Sequence, residues 1–314
     1  MTRVILVRLI SVVPLLFLVT LGTFGLGLMI PGDPAYTIAG ENISEELIDQ
    51  IRTDLRLDLS PPVRYIHWLG DVVQGDLGRS VTSRRSVTEE LLRRWPVTVS
   101  LSLCAILIAL AVGMPIGIVQ GVRPGTALDK GLLAIVSLGL ATPGFWIATV
   151  LLFVFAVRLR WLPAIGYVPF AESPVEWARH IAMPVVTLGI VAAAEFARQL
   201  RSGLIDVTGL DYVRAARARG LPSRTVLVKH ALRNAAMPAL TIIGIRVGHL
   251  LGGSIVIEQI FQLPGLGTYV LTAVGQRDYI VIQGVTLVIA VIVVVVNLTV
   301  DILYTWLNPR IRLS

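Results

Sequence analysis

Charge is scarce in this chain of 314 residues: 15% of them are Asp, Glu, Lys or Arg, 55% are hydrophobic, and the mean hydropathy is +0.78. An ordinary soluble domain carries about 25% charged residues to keep its surface in water, so lipid must be the solvent for much of this protein. Lysine is nearly missing. Lys130 and Lys229 are the only two, and neither completes the Gly-x-x-x-x-Gly-Lys-Ser/Thr pattern with which a P-loop cradles phosphates. Any energy drawn from ATP therefore has to come from another subunit. Cysteine is represented by Cys104 alone, inside an apolar run, which excludes an intrachain disulfide and a cysteine metal cluster. The four histidines, His67, His180, His230 and His249, are dispersed, and no His-Glu-x-x-His motif occurs. Neither a catalytic residue nor a metal site is expected. The net charge of +7 comes mostly from arginines scattered between apolar stretches, without aromatic interleaving, so no nucleic-acid partner is expected either.

What is abundant is apolar sequence in long runs. A helix needs about 20 residues to cross the hydrocarbon core, and it satisfies its own backbone there. Five stretches meet that length, near Leu9–Ile30, Val97–Val122, Gly131–Val157, Met237–Ile257 and Ile280–Val300. A sixth, near Ile181–Gln199, is shorter and carries Glu195 and Arg198 at its end. The arginines argue for keeping it. With both termini in the cytoplasm, the inner segments hold Arg3, Arg8, Arg123, Lys130, Arg310, Arg312 and a dense group from Arg198 to Arg233, whereas the short outer loops hold Arg158, Arg160, Arg179 and Arg277. Dropping the sixth span would put the C-terminus outside. The first span is too long for the apolar part of a signal peptide and has no small-x-small site before Pro31, so it reads as an uncleaved anchor.

Two hydrophilic segments interrupt these runs. The outer one, Pro31 to Trp95, has capping-box spacing at Asn42/Glu45 and Ser86/Glu89, predicting helices near Ser44–Leu57 and Val87–Arg94, with another over Val63–Val73 behind Pro61. Gly75 to Ser80 reads as a turn, and the segment as a folded cap. The inner one runs from Asp211 to Pro238. Asp211 is expected to cap a short Ala-rich helix that Gly220 and Pro222 stop, and Ser223 to cap a second helix leading into span five. Residues alone leave two readings: a compact projection that docks in a groove of a soluble partner, or a basic loop obeying the positive-inside rule.

That inner segment resembles the EAA loop of ABC importer permeases of the dipeptide and oligopeptide branch, B-type subunit. Arg214, Ala215, Ala216 and Gly220 occupy the E-A-A-x-x-x-G positions, with Arg in place of Glu, and the Leu-Pro ending is absent. Other stretches match the same branch in order: Pro31-Gly32-Asp33-Pro34, Gly75 to Ser80, Thr142-Pro143 with Phe145-Trp146, Trp161-Leu162-Pro163, Gly252-Gly253 with Glu258, Phe261, Pro264 to Gly267, and Arg277-Asp278-Tyr279. Asn308-Pro309-Arg310 departs from the usual Asp-Pro-Arg. The resemblance implies an all-α, type I ABC permease bundle of about six spans with a helical extracytoplasmic insertion after the first. It implies an anchor and external segment over 1–93, a transport core over 94–308 and a tail over 309–314. Asp211, Tyr212, Arg214, Ala215, Ala216, Arg217, Gly220 and Leu221 then form the loop that couples to an ATPase. A second homologous permease, two ATPase subunits or domains carrying ATP and Mg, and an extracytoplasmic solute-binding protein are implied partners in a prokaryotic cytoplasmic membrane. This chain would bind no cofactor itself. Peptides are the leading solutes; nickel chelates, haem and glycosides use the same branch. A self-contained secondary transporter and a membrane scaffold are the rival classes, and no internal inverted repeat favours the former.

Ionisable groups inside spans mark either a solute path or a structural pair. Arg246 and His249, three residues apart in span five, share a helix face that Gly253 extends. They are candidates for the translocation path, with Arg246 meeting a substrate carboxylate or pairing with a neighbouring helix. Glu195 is expected to pair with Arg198, one turn away.

Overall fold

A computed structural model describes residues 2–29, 35–36, 44–54 and 56–307, and apart from one isolated bridge between Arg79 and Ser86 every regular element among them is helical. Backbone groups in hydrocarbon have no water to bond, so apolar runs of this length close their hydrogen bonds locally as helices. In chain order these are α1 (Thr2–Met29), α2 (Glu45–Asp54), α3 (Pro61–Val73), α4 (Val87–Val122), α5 (Ala127–Ala141) and α6 (Gly144–Leu151), which continues as a π-helical turn over Leu152–Arg158. Then come α7 (Pro174–Thr208), α8 (Asp211–Ala218), α9 (Arg233–Ile260), α10 (Leu266–Gly275) and α11 (Tyr279–Leu307). A short lead-in, Ser223–Thr225 and the π-helical Val226–Leu232, joins α8 to α9.

Among the described residues four helices are long and apolar enough to span: Ile10–Met29 within α1, α4, α7, and Tyr279–Thr299 within α11. α5 with α6 and its π turn makes a fifth if counted as one crossing, the span expected over Gly131–Val157, and the pair is bent by 99°. The cause is Pro143. A proline pushes the residue before it out of the helical region, and Thr142 sits at φ −85°, ψ 125°. The remaining expected span lies within the 28-residue α9, where several side chains fall outside the described residues.

Four local expectations need correction. The helix expected to end at Arg94 runs on through Pro96 and Pro115 to Val122, because the apolar run beyond outweighs the loss of two backbone donors. Its start is as expected, with Ser86 Oγ accepting from the Glu89 amide at 3.4 Å. Asp211 is the first residue of α8 rather than its cap; Leu210 occupies the cap position and offers no side-chain bond. Likewise Pro222, not Ser223, precedes the second short helix. Finally, Glu195 bonds Arg246 on another helix instead of Arg198, as described below. The expected cap at Asn42 lies outside the described residues.

The chain divides into two compact units. Among the described residues, one comprises Val97–Pro264 and 295–307. At its centre is α7, of which 61% of the apolar window is buried against 28% for α4, so α7 is the helix on which its neighbours pack. Gly113, Gly117 and Gly121 recur every fourth residue along α4 and let the backbones touch. A Cβ at Gly113 would stand 2.6 Å from the Ala193 carbonyl oxygen, one at Gly117 2.9 Å from that of Ala197, and one at Gly121 2.6 Å from Leu204 Cβ. Gly203 does the same toward Ala235 in α9, at 2.6 Å from its carbonyl oxygen.

The other unit holds 2–96 and 265–294. Its core is Leu77, Val87, Leu91, Leu266, Ala273, Val281 and Val285. The turn over Gly75–Ser80 is present: Gly75 and Gly78 adopt φ 86° and 88°, and the Gly78 amide donates to Asp76 Oδ1 at 2.8 Å. Asp278, buried, then accepts from the Ser80 hydroxyl and, at 3.2 Å, from the Thr82 amide. That carboxylate fixes the loop after the turn.

Candidate functional site

The segment from Asp211 to Leu221 is a short helix and its stop, with one face in and one face out. Val213 and Ala216, three apart, are buried against Val226 of the lead-in and Val207 at the end of α7. Tyr212 ties the same helix to α9: its hydroxyl donates to the His230 carbonyl at 3.2 Å and accepts from Asn234 Nδ2 at 2.7 Å. Because Ala235, next to Asn234, is the residue that Gly203 meets backbone to backbone, α8 rests beside a close contact of α7 with α9. Arg214, Ala215, Arg217, Ala218, Arg219 and Leu221 are left on the exposed side.

The end of α8 is set by Gly220. Its φ of +76° belongs to the left-handed region, and with it the Gly220 amide reaches the Arg217 carbonyl at 2.9 Å while the Leu221 amide reaches that of Ala216 at 3.4 Å. Those two bonds are a Schellman stop. Pro222 then prevents the helix from resuming. Asp211 contributes by placing a carboxylate in the first turn, where the helix dipole favours it; its contact with Arg214, at 3.8 Å between exposed groups, adds little. Such an arrangement offers a partner a short, rigid, positively charged knob. No metal-ligand cluster occurs among the described residues.

Removing the Tyr212 hydroxyl is the mildest test of how firmly the knob is held. Tyr212→Phe is expected to cost about 1 kcal/mol, the net worth of a typical hydrogen bond. Amide exchange over 211–218 should then rise about fivefold if opening is local. Unchanged exchange would mean that the apolar face alone holds the helix.

In the spans, the structure joins Arg246 of α9 to Glu195 of α7, 51 residues apart, through both Nε and Nη2. The pair is partly accessible, while Arg198 is exposed. His249 and Gly253 lie on α9, but the surroundings of their side chains are outside the described residues. Two further polar anchors join helices: Asp129, which the sequence reasoning missed, and Glu258, which it noted only within a motif. Asp129, at the start of α5 and 2% exposed, takes Arg201 of α7 in a two-pronged ion pair at 2.8 Å to each oxygen, with the Gly125 amide also at 2.8 Å. Glu258 of α9 is fully buried and accepts from the hydroxyls of Thr98 at 2.8 Å and Ser254 at 3.0 Å. For Asp129 the sequence held no signal beyond a lone carboxylate in a short loop. Buried charges with this many partners fix which helix faces meet.

The family profile described as binding-protein-dependent transport system inner membrane component matches residues 113–313, and the profile of its N-terminal region matches 1–102. A putative peptide transport system permease protein of Brucella abortus is 40% identical over 99% of both chains. The dipeptide transport system permease protein DppB of Escherichia coli is 38% identical, again over 99% of each. Among solved structures, the MetNI methionine ABC transporter in an inward-facing conformation superposes with a TM-score of 0.57, covering 70% of this chain and 96% of the other at 20% identity. That likeness concerns the fold.

Proposed function

The chain belongs to the family of binding-protein-dependent transport system inner membrane components, and from that premise we propose that it is a permease subunit of an ATP-driven importer of dipeptides or oligopeptides. Its spans and those of a second, homologous permease line one path that opens alternately to each side. Two ATPase subunits or domains, holding ATP and Mg, drive it from the cytoplasm, and an extracytoplasmic solute-binding protein delivers cargo. Both termini are cytoplasmic and 31–95 faces outward, the orientation that the arginine distribution favours. The chain takes part in no catalysis of its own.

One observation carries the reading: α8 projects an arginine-lined face beyond the α7–α9 junction and is anchored to both helices behind it. Movement of a partner gripping Arg214 and Arg217 reaches the spans without passing through a flexible linker. The peptide assignment follows the relatives named as peptide and dipeptide permeases. The test is reconstitution. Vesicles containing the whole complex should accumulate a labelled dipeptide when ATP is present on the ATPase side, and vesicles containing this chain alone should not. Uptake by the chain alone, driven by an ion gradient, would make it a secondary transporter.

Arg246 is the candidate contact for the peptide carboxylate, poised on Glu195 between passages. Arg246→Ala leaves Glu195 without its partner. It is expected to lower uptake of a dipeptide at least tenfold while lowering recovery of assembled complex less than twofold, since a carboxylate facing an accessible path can be hydrated or protonated. Equal losses of uptake and assembly would assign the pair to structure alone.

A further inference from the structure

At the outward ends of the first and last spans, a cavity of about 350 Å³ is lined by Phe24 of α1, Arg64 and Trp68 of α3, Arg79 of the glycine turn, and Tyr279 and Gln283 of α11. It lies wholly within one compact unit. Phe24 is five residues from the end of α1, and Tyr279 opens α11, so the cavity sits where two spans leave the apolar layer. That is the depth of lipid headgroups.

Its lining carries an excess of positive charge. Three guanidiniums reach it, against two carboxylates that are already engaged: Asp71 holds Arg56 at 2.9 Å, and Asp76 holds the Gly78 amide at 2.8 Å. Arg64 lies over the Phe24 ring, 5.8 Å from its centre, which leaves its donors directed elsewhere. Neither Arg64 nor Arg79 has an ion-pair partner among the described residues. Trp68 lines the wall with its ring, while its Nε1 is buried out of reach of the cavity. Two guanidiniums and an aromatic wall beneath them match a phosphodiester with an acyl chain running down α1.

We propose that this cavity binds the phosphate of an anionic phospholipid from the outer leaflet, with Arg64 and Arg79 donating to its oxygens and the Phe24 and Trp68 rings lining the way for the acyl chain. The leaflet, though not the phosphate chemistry, rests on the orientation given above. A headgroup held there joins α3 and the glycine turn to the spans, and ties the external segment to the composition of the membrane.

The purified full complex, exchanged into phosphatidylglycerol or phosphatidylcholine, tests this by counting retained lipids with native mass spectrometry. The wild type should hold phosphatidylglycerol at least tenfold more tightly than phosphatidylcholine. Arg64→Gln combined with Arg79→Gln should abolish that preference, and each single substitution should weaken it at least threefold. A preference unchanged in the double variant overturns the proposal. Millimolar inorganic phosphate supplies a second arm: no displacement identifies the lipid as the source of the phosphate, whereas full displacement would show that the free ion is the ligand and overturn the lipid assignment. Orientation is read separately, from labelling of Gln74→Cys by a membrane-impermeant maleimide in a Cys104→Ser background. Labelling only from the cytoplasmic side would reverse the orientation while leaving the lipid count intact.

Discussion

Reversing two charges on α8, in Arg214→Glu/Arg217→Glu, is expected to reduce ATP-driven uptake at least tenfold while the chain still inserts and assembles its own helices. Both residues are exposed, and the buried face of Val213 and Ala216 is untouched. Surface substitutions of that kind change folding stability by about 0.5 kcal/mol or less. At an interface the same reversal juxtaposes like charges or strips paired ones, which costs several kcal/mol, and each 1.4 kcal/mol is a factor of about ten in affinity. The signature is therefore a split: proteoliposome uptake falls, thermal melting of the isolated chain does not, and ATP turnover by the complex no longer follows added substrate. Gly220→Val should act on the same loop by another route. Its φ of +76° is costly for a β-branched residue, by about 1–2 kcal/mol, so the Schellman stop loosens and the arginine face turns. Normal uptake in both variants would remove the loop from the coupling path.

The second large effect is expected inside the membrane. Gly113→Leu places a Cβ 2.6 Å from a backbone oxygen of α7, which no rotamer can avoid, and adds three further carbons between two helices already in contact. Overpacking a rigid site costs about 1–3 kcal/mol and here stands at the upper end, since the obstacle is backbone. Recovery of folded chain after detergent extraction should drop several-fold. Gly131→Leu supplies the comparison, because nothing lies within 4 Å of a Cβ there, and it should be close to neutral. A similar loss in both variants would show that added bulk, not the α4–α7 contact, is responsible.

How much of this was legible beforehand depends on how local each feature is. Long apolar runs revealed the spans, since length and hydropathy need no knowledge of neighbours. The α8 loop was visible for the same reason: an Ala-rich turn, Gly220 and Pro222 punctuate the chain within twelve residues. Thr142-Pro143 stands out in the sequence as a motif, but its 99° break does not, because a proline tolerated in α4 at positions 96 and 115 behaves differently where the preceding residue turns extended. Pairings between helices were beyond reach. Spacing within one helix pointed Glu195 to Arg198, but the side chain chose Arg246, 51 residues on, and Asp129 chose Arg201, 72 residues on. Such choices follow from which faces α4, α5, α7 and α9 turn to one another. Part of that information was in the sequence, in the four-residue spacing of Gly113, Gly117 and Gly121, which marks a face of close backbone approach.

The account rests on α8 being the surface through which a separate ATPase drives the spans, and the most direct measurement is a cross-link. With Cys104 replaced by Ser, Arg217→Cys supplies the sole thiol of the chain and carries a photoactivatable maleimide in the assembled complex. The expected product is a covalent adduct with an ATPase subunit, formed in good yield and altered by ATP, while the same probe on Ala171→Cys, in the loop before α7, gives none. An intact, ATP-hydrolysing complex in which the probe at position 217 forms no such adduct, or in which the adduct forms from position 171 instead, would contradict it.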